Sequence, residues 1–171
     1  MVEPRPASDY GFSQLRPRAL LVGIREPWAS SFSWPEPSPG EALPVGELLR
    51  DAMAANGWEA TDAWAERARS IAPTLVGGSK KHGGADLGPT RARKAWAALG
   101  VDGAGVVDEA PGFVGMPRLT VGMAALVQGF PAGWRFSGRK TAAYRQVGNA
   151  FPPPVDKAVG TAIREALNAV D

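Results

Sequence analysis

Three observations predict a mixed α/β fold with modest regular structure set among many turns. Ala19-Leu20-Leu21-Val22-Gly23-Ile24 is continuously apolar yet too short for a helix, the pattern of a strand buried on both faces. Five later stretches carry apolar residues at helical spacing. Glycine and proline are abundant together, 21 and 16 of 171 residues, so irregular loops must separate these elements.

Taken in order, residues 1–8 are polar and proline-containing and are expected to lack structure of their own. Gln14, Arg16 and Arg18 stand at a spacing of two just ahead of the strand, so their side chains are expected on one face. From Glu26 to Pro44 five prolines rule out a continuous helix. Val45, Leu48, Leu49, Ala52 and Met53 then mark one face of a helix over 45–55, which Asn56-Gly57 would stop. Thr61 or Asp62 is expected to cap a second short helix, with Trp64, Ala68 and Ile71 turned inward.

Residues 72–77 lead into a loop in which Gly77, Gly78, Gly83 and Gly84 bracket Lys80, Lys81 and the single histidine, His82. Such a loop can bring amides and cations to phosphates, and the same composition also suits a flexible solvated turn. It lacks the Gly-Lys-Ser/Thr order of a nucleotide-hydrolysing loop. Thr90 is expected to cap a helix over 91–99 that ends at Gly100, with Trp96 and Leu99 inward. Arg91, Arg93 and Lys94 gather near its start, against the helix dipole, which a nearby anion would ease. Gly100 to Gly105 reads as a turn, because no strand leads into its glycines.

A further helix starts at Thr120 and ends at Gly129. Arg135, Arg139, Lys140 and Arg145 follow with Trp134 and Phe136 interleaved, which fits a DNA-backbone surface or a solvated loop. Gly148-Asn149-Ala150 is expected to be a tight polar turn. Pro152-Pro153-Pro154 would stiffen the approach to a last helix, whose packing stripe runs through Val155, Ala158, Val159, Ala162, Ile163, Ala166, Leu167 and Val170.

Bulk properties narrow the function less than the motifs do. The length suits one domain, or a small lobe beside part of a larger one. A net charge of +2 is too small to define a nucleic-acid partner, so the positions of the charges matter more than their sum. With no long apolar run and no leader pattern, the expected compartment is the cytoplasm. The chain has no cysteine, which excludes disulfides, a thiolate metal site and a thiolate nucleophile from within it.

Two blocks carry a family resemblance. Asp9-Tyr10-Gly11-Phe12-Ser13-Gln14-Leu15-Arg16-Pro17-Arg18 followed by an apolar strand resembles the eighth motif of the DNA cytosine-5 methyltransferases. Arg118 to Val155, with Gln128-Gly129-Phe130-Pro131 and Tyr144-Arg145-Gln146-Val147-Gly148-Asn149-Ala150-Phe151-Pro152-Pro153, resembles their ninth and tenth motifs. The resemblance implies a partial Rossmann-like sheet lobe of an S-adenosylmethionine (SAM)-dependent methyltransferase, together with a small irregular target-recognition region.

Its parts would be strands of the catalytic lobe in 1–30, a Pro-rich connector with short helices in 31–71, target recognition in 72–117, and the last two motifs with the returning helix in 118–171. It further implies that Arg18 reaches a flipped cytosine from the side opposite the nucleophile, that Arg16 and Gln14 steady the site, and that Asn149 and the backbone of Ala150 line the SAM pocket. Lys80, Lys81, Arg91 and Arg93 become the candidate contacts to double-stranded DNA, and no metal is implied.

The family's Pro-Cys nucleophile and Glu-Asn-Val acid have no counterpart in this sequence. Another polypeptide segment is therefore expected to supply them and to cover the apolar strand. The reading is a carboxy-terminal methyltransferase half; a non-catalytic DNA-binding remnant or accessory module is the alternative. Where the family has Arg-Glu, this chain has Gly122-Met123, which predicts an incomplete capping box and a helix weaker by about 1 to 2 kcal/mol.

Overall fold

The computed structural model describes residues 2–6, 10–37, 42–77, 84–112 and 115–169, with the backbone alone described at 2–6, 17 and 18. Helices carry the fold. Around the larger core stand α1 (Val45–Ala54), α2 (Thr61–Arg67), α3 (Thr90–Ala98), α4 (Val121–Val127) and α5 (Lys140–Asn149). A smaller core forms where α6 (Pro153–Asn168) packs Val155 and Val159 against Tyr10 and Phe12.

Among the described residues the one sheet is an antiparallel pair, β1 (Val2–Pro6) with β2 (Pro17–Leu21), in a register that joins Val2 to Leu21 and Pro6 to Pro17. Two expectations are corrected by it. Of residues 1–8, Val2–Pro6 are not without structure, because the edge of β2 gives their backbone ladder partners that the sequence did not announce. Prolines at 4 and 6 are tolerated because β1 is an edge strand. The apolar run beyond Pro17 is not buried on both faces either. Leu21 is 76% exposed, whereas Leu20 and Val22 pack partly against the α6 cluster.

Helix positions follow the apolar periodicity. Val45, Leu49 and Met53 are fully buried, with Leu48 and Ala52 beside them, and Trp64, Ala68 and Trp96 are buried as expected, while Ile71 is only half-buried. The caps differ. Thr61 is the first residue of α2, its hydroxyl donating to the Trp58 carbonyl at 2.6 Å, and Thr90 is the first residue of α3, with Pro89 as N-cap. Neither hydroxyl meets a helix amide.

At α4 the expected gap in the capping box is filled, while Gly122 remains inside the helix as expected. Thr120 accepts the Met123 amide at 3.1 Å, and the Met123 sulfur accepts the Thr120 amide at 3.4 Å, so the thioether closes the box that lacks a glutamate. Sulfur is a weak acceptor, but Met123 is also buried and adds apolar area.

The largest correction concerns Gly148-Asn149. These residues form the last turn of α5 and not a free turn, with Ala150 as C-cap, its amide donating to the carbonyls of Gln146 and Val147 at 3.0 and 3.2 Å. Close approach of two backbones explains the glycine. A Cβ placed on Gly148 would lie 2.6 Å from the Gly77 nitrogen and 2.7 Å from the Val76 carbonyl carbon. Only glycine at both 77 and 148 lets the helix lie on the 72–77 segment.

Ahead of α4 the chain is tied by Asp102, which accepts the Ala104 amide at 2.9 Å and the Arg118 Nε at 2.7 Å. These donors hold its carboxyl below the ordinary value of 3.8. Because the folded pKa is lowered, the stability gained is present above pH 3.8 and is lost as pH falls through the folded value.

Two predictions follow from these contacts. Gly148→Ala should destabilise the fold by about 1 to 3 kcal/mol through overpacking, whereas Gly160→Ala, where α6 offers open space, should stabilise it by about 0.5 to 1 kcal/mol; urea unfolding of both variants checks the opposite signs. Asp102→Asn should flatten the acid limb of stability below about pH 4 and leave the pH dependence above it unchanged, which urea midpoints measured across that range will read.

Candidate functional site

Three buried polar side chains, Gln14, Arg16 and Gln128, assemble the junction where distant parts of the chain meet. The Arg16 side chain is 1% exposed. Its Nη1 donates to the Leu75 carbonyl, and its Nη2 donates to the carbonyls of Gly148 at 2.8 Å and Ala150 at 3.4 Å. The last two acceptors lie at the carboxy-terminal end of α5, where unpaired helix carbonyls attract a cation. Gln128 Nε2 donates to the Ala150 carbonyl at 2.7 Å, and Gln14 Nε2 donates to Gln128 Oε1 at 3.4 Å.

Backbone pairing reinforces this junction. Leu15 donates to the Ala72 carbonyl at 2.9 Å, Ala72 donates to Ser13 at 2.8 Å, and the Thr74 hydroxyl donates to the Leu15 carbonyl. Gly129, with φ of +83°, completes the contact. A Cβ there would lie 2.8 Å from Phe12 and 2.9 Å from Pro154, so one glycine lets residues 12, 129 and 154 touch.

The candidate residues divide into those at this junction, those away from it and those outside the description. Gln14 and Arg16 are buried in it, serving as ties with no solvent-facing surface. The side chain of Arg18 lies outside the described residues; its backbone is in β2, paired with Arg5. Asn149 is exposed at the junction's edge, its amide against Gly77. The Ala150 carbonyl accepts from both Gln128 and Arg16, and its amide is bonded within α5, so both backbone groups are engaged inside the chain.

Lys80 and Lys81 lie outside the described residues, in the segment that leaves Gly77. Arg91 and Arg93 are exposed near the start of α3, and the stem of Arg93 rests on Gly103. The structure thus brings Gln14, Arg16, Asn149 and Ala150 together, with Arg91 and Arg93 on a separate helix.

Sequence reasoning missed Gln128, the Leu75–Gly77 segment and Tyr144. Gln128 and Tyr144 stood in the sequence as members of the two resembling stretches but were given no site role, and the spacing of glycines 77 and 148 gave no sign that they touch. Tyr144 is fully buried, and its hydroxyl has no hydrogen-bond partner among the described residues. Burial raises its pKa far above the ordinary 10.0, with nearby Asp86 adding to the rise and Arg16 opposing it.

This junction unites the Gln-x-Arg-x-Arg block, Gln-Gly-Phe-Pro and Gly-Asn-Ala, and comparison identifies the family. A family model described as C-5 cytosine-specific DNA methylase matches residues 5–165, so the chain belongs to that family. Among curated relatives, the Type II methyltransferase M.NaeI of Lentzea aerocolonigenes is 59% identical over 167 residues, covering 95% of this chain and 40% of that protein. M.NgoMIV of Neisseria gonorrhoeae is 48% identical over 164 residues, covering 94% and 52% respectively. M.NlaX of Neisseria lactamica is 31% identical over 170 residues, covering 96% and 52%. The chain therefore spans about half, or less, of the length of these relatives. Among the described residues no helix is long and apolar enough to cross a membrane.

Gln128→Met should cost about 1 to 3 kcal/mol, because it leaves the buried Gln14 amide and the Ala150 carbonyl short of a partner. Tyr144→Phe removes a hydroxyl that has no hydrogen-bond partner among the described residues and should be neutral or stabilising by up to about 1 kcal/mol. Thermal and urea unfolding of the pair will show whether the two changes differ in sign.

Proposed function

We propose that this chain acts as the carboxy-terminal half of a DNA cytosine-5 methyltransferase, contributing target recognition, arginines at a flipped cytosine and one wall of the SAM pocket. The convergence of three sequence-distant blocks on Arg16 and Gln128 carries this reading. A junction tied internally by these buried donors and by close glycine contacts suits a reaction that depends on holding an extruded base and a cofactor in one geometry.

In this reading SAM supplies the methyl group. The exposed Asn149 amide, beside the backbone of Gly77, has the donor and acceptor that the polar end of such a cofactor needs, and Ala150 serves as the bonded frame behind it. Arg18 would donate to the exocyclic carbonyl oxygen of the cytosine, where electron density rises as carbon 6 is attacked. Arg16 would act as a positioning residue, holding the strand that carries Arg18. The sulfur nucleophile and the acid at N3 would come from an amino-terminal segment not contained in these 171 residues. Its docking would extend β2 into the Rossmann-like sheet and cover Leu21, 76% exposed here. Lys80, Lys81, Arg91 and Arg93 would hold double-stranded DNA, with the enzyme working in the cytoplasm beside a cognate restriction activity, as the Type II relatives suggest.

A non-catalytic DNA-binding module is the second reading, favoured by the lack of cysteine in the chain. The two separate in a reconstitution with a segment bearing the Pro-Cys and Glu-Asn-Val blocks. Labelled methyl transfer from SAM to duplex DNA should need both polypeptides. In the mixture Arg18→Ala should lower methylation at least about 100-fold, the scale of one lost transition-state donor, with duplex affinity little changed. The double change Lys80→Ala with Lys81→Ala should weaken binding and reduce its salt dependence. No methylation from the complete mixture favours the second reading; equal loss of binding in both variants contradicts the division of roles.

A further inference from the structure

Between Glu109 and Asp156 the sequence has no acidic residue, while it carries Arg118, Arg135, Arg139, Lys140 and Arg145. Arg118 and Lys140 are paired, with Asp102 and Asp108 at 2.7 and 2.9 Å. Arg135 and Arg139 are exposed and have no ion-pair partner among the described residues.

The same stretch of chain carries an aromatic cluster, with Trp134 directly before Arg135 and Phe136 between Arg135 and Arg139 in sequence. Phe130 packs edge-on against Phe136 at 5.0 Å and carries the indole of Trp134 at 5.6 Å, tilted by 50°. Trp134 is nonetheless 58% exposed. The turn that presents it is ordered by bonds, with the Trp134 amide donating to the Pro131 carbonyl at 3.1 Å and Gln146 Nε2 fastening Ser137 at 2.7 Å. An indole held out to solvent on a hydrogen-bonded turn, with Phe130 against it and two exposed arginines within five residues in sequence, is a stacking platform prepared in advance.

We infer that Trp134, Arg135 and Arg139 form a second DNA contact, in which the two guanidinium groups hold consecutive backbone phosphates and the indole packs on the sugar or base face next to them. Charge selects this occupant. A polyanion with flat apolar faces matches an exposed indole on a segment with two exposed arginines, whereas a protein helix docking here would bury two cations with no ion-pair partner among the described residues. The inference rests on the DNA-acting reading above and adds a site that reading does not use.

The chain offers its own probe, since Trp134 is the one tryptophan of six that is exposed; Trp58, Trp64 and Trp96 are buried, and Trp28 and Trp34 are half-covered. Acrylamide quenching of the free chain should show a readily quenched fraction that Trp134→Phe removes and that a saturating duplex oligonucleotide protects in the wild type. Arg135→Ala with Arg139→Ala should lower the slope of log affinity against log salt by about 2, one per released phosphate contact, while the variant keeps the wild-type urea midpoint.

An indole still quenched at saturating duplex, or an unchanged salt slope, overturns this site and leaves the proposed function standing. An indole already shielded before DNA is added also overturns it, because a protein surface then occupies the platform. Failure of the wild-type chain to bind duplex at all counts against both readings.

Discussion

The Arg16 guanidinium constrains this structure more than any other group. A buried arginine cannot shed its charge, so every element near it must present oxygen. Leu75, Gly148 and Ala150 do so with backbone carbonyls, from segments that lie 59, 132 and 134 positions away in the chain. The end of α5 is a favourable place for a cation because its last carbonyls have no helical partners. One planar fork thereby fixes the relative positions of the amino-terminal block, the 72–77 segment and the last turn of α5.

Other features of the junction make sense once that position is fixed. Bringing α5 down onto residues 76 and 77 leaves no room for side chains, hence glycine at 77 and 148. The Ala150 carbonyl faces inward, so a second donor, Gln128, can share it, and Gln128 in turn orders Gln14. Gly129, in the next position, lets Phe12 and Pro154 meet above them. Each contact joins residues well separated in the sequence. The outcome is a closely tied junction with the exposed Asn149 at its rim.

Much of the helical framework was legible because burial writes itself into periodicity. The spacing of Val45, Leu49 and Met53, and the tryptophans at 64 and 96, specified which faces turn inward. What escaped was set by partners distant in sequence. Val2–Pro6 becomes a strand only because β2 has an open edge, which no local pattern encodes. Gly148-Asn149 has the composition of a turn, yet tertiary packing on Gly77 carries the helix through it. Met123 closes a capping box through a sulfur that motif reasoning did not count as an acceptor. The arginines of the Gln-x-Arg-x-Arg stretch were legible as a group, but spacing alone did not distinguish Arg16, wholly internal, as a tie.

Hydrogen exchange on the Arg16→Met protein tests the central claim most directly, because the amides that report on the junction are distinct from those that report on the larger core. If the guanidinium joins the three segments, the amides of Leu15, Ala72 and Ala150, each bonded at the junction, should lose protection together, while those of Leu99 and Val101, bonded to Trp96, keep theirs. Loss confined to Leu15, with Ala72 and Ala150 as protected as in the wild type, would contradict the claim that Arg16 holds these segments as one wall.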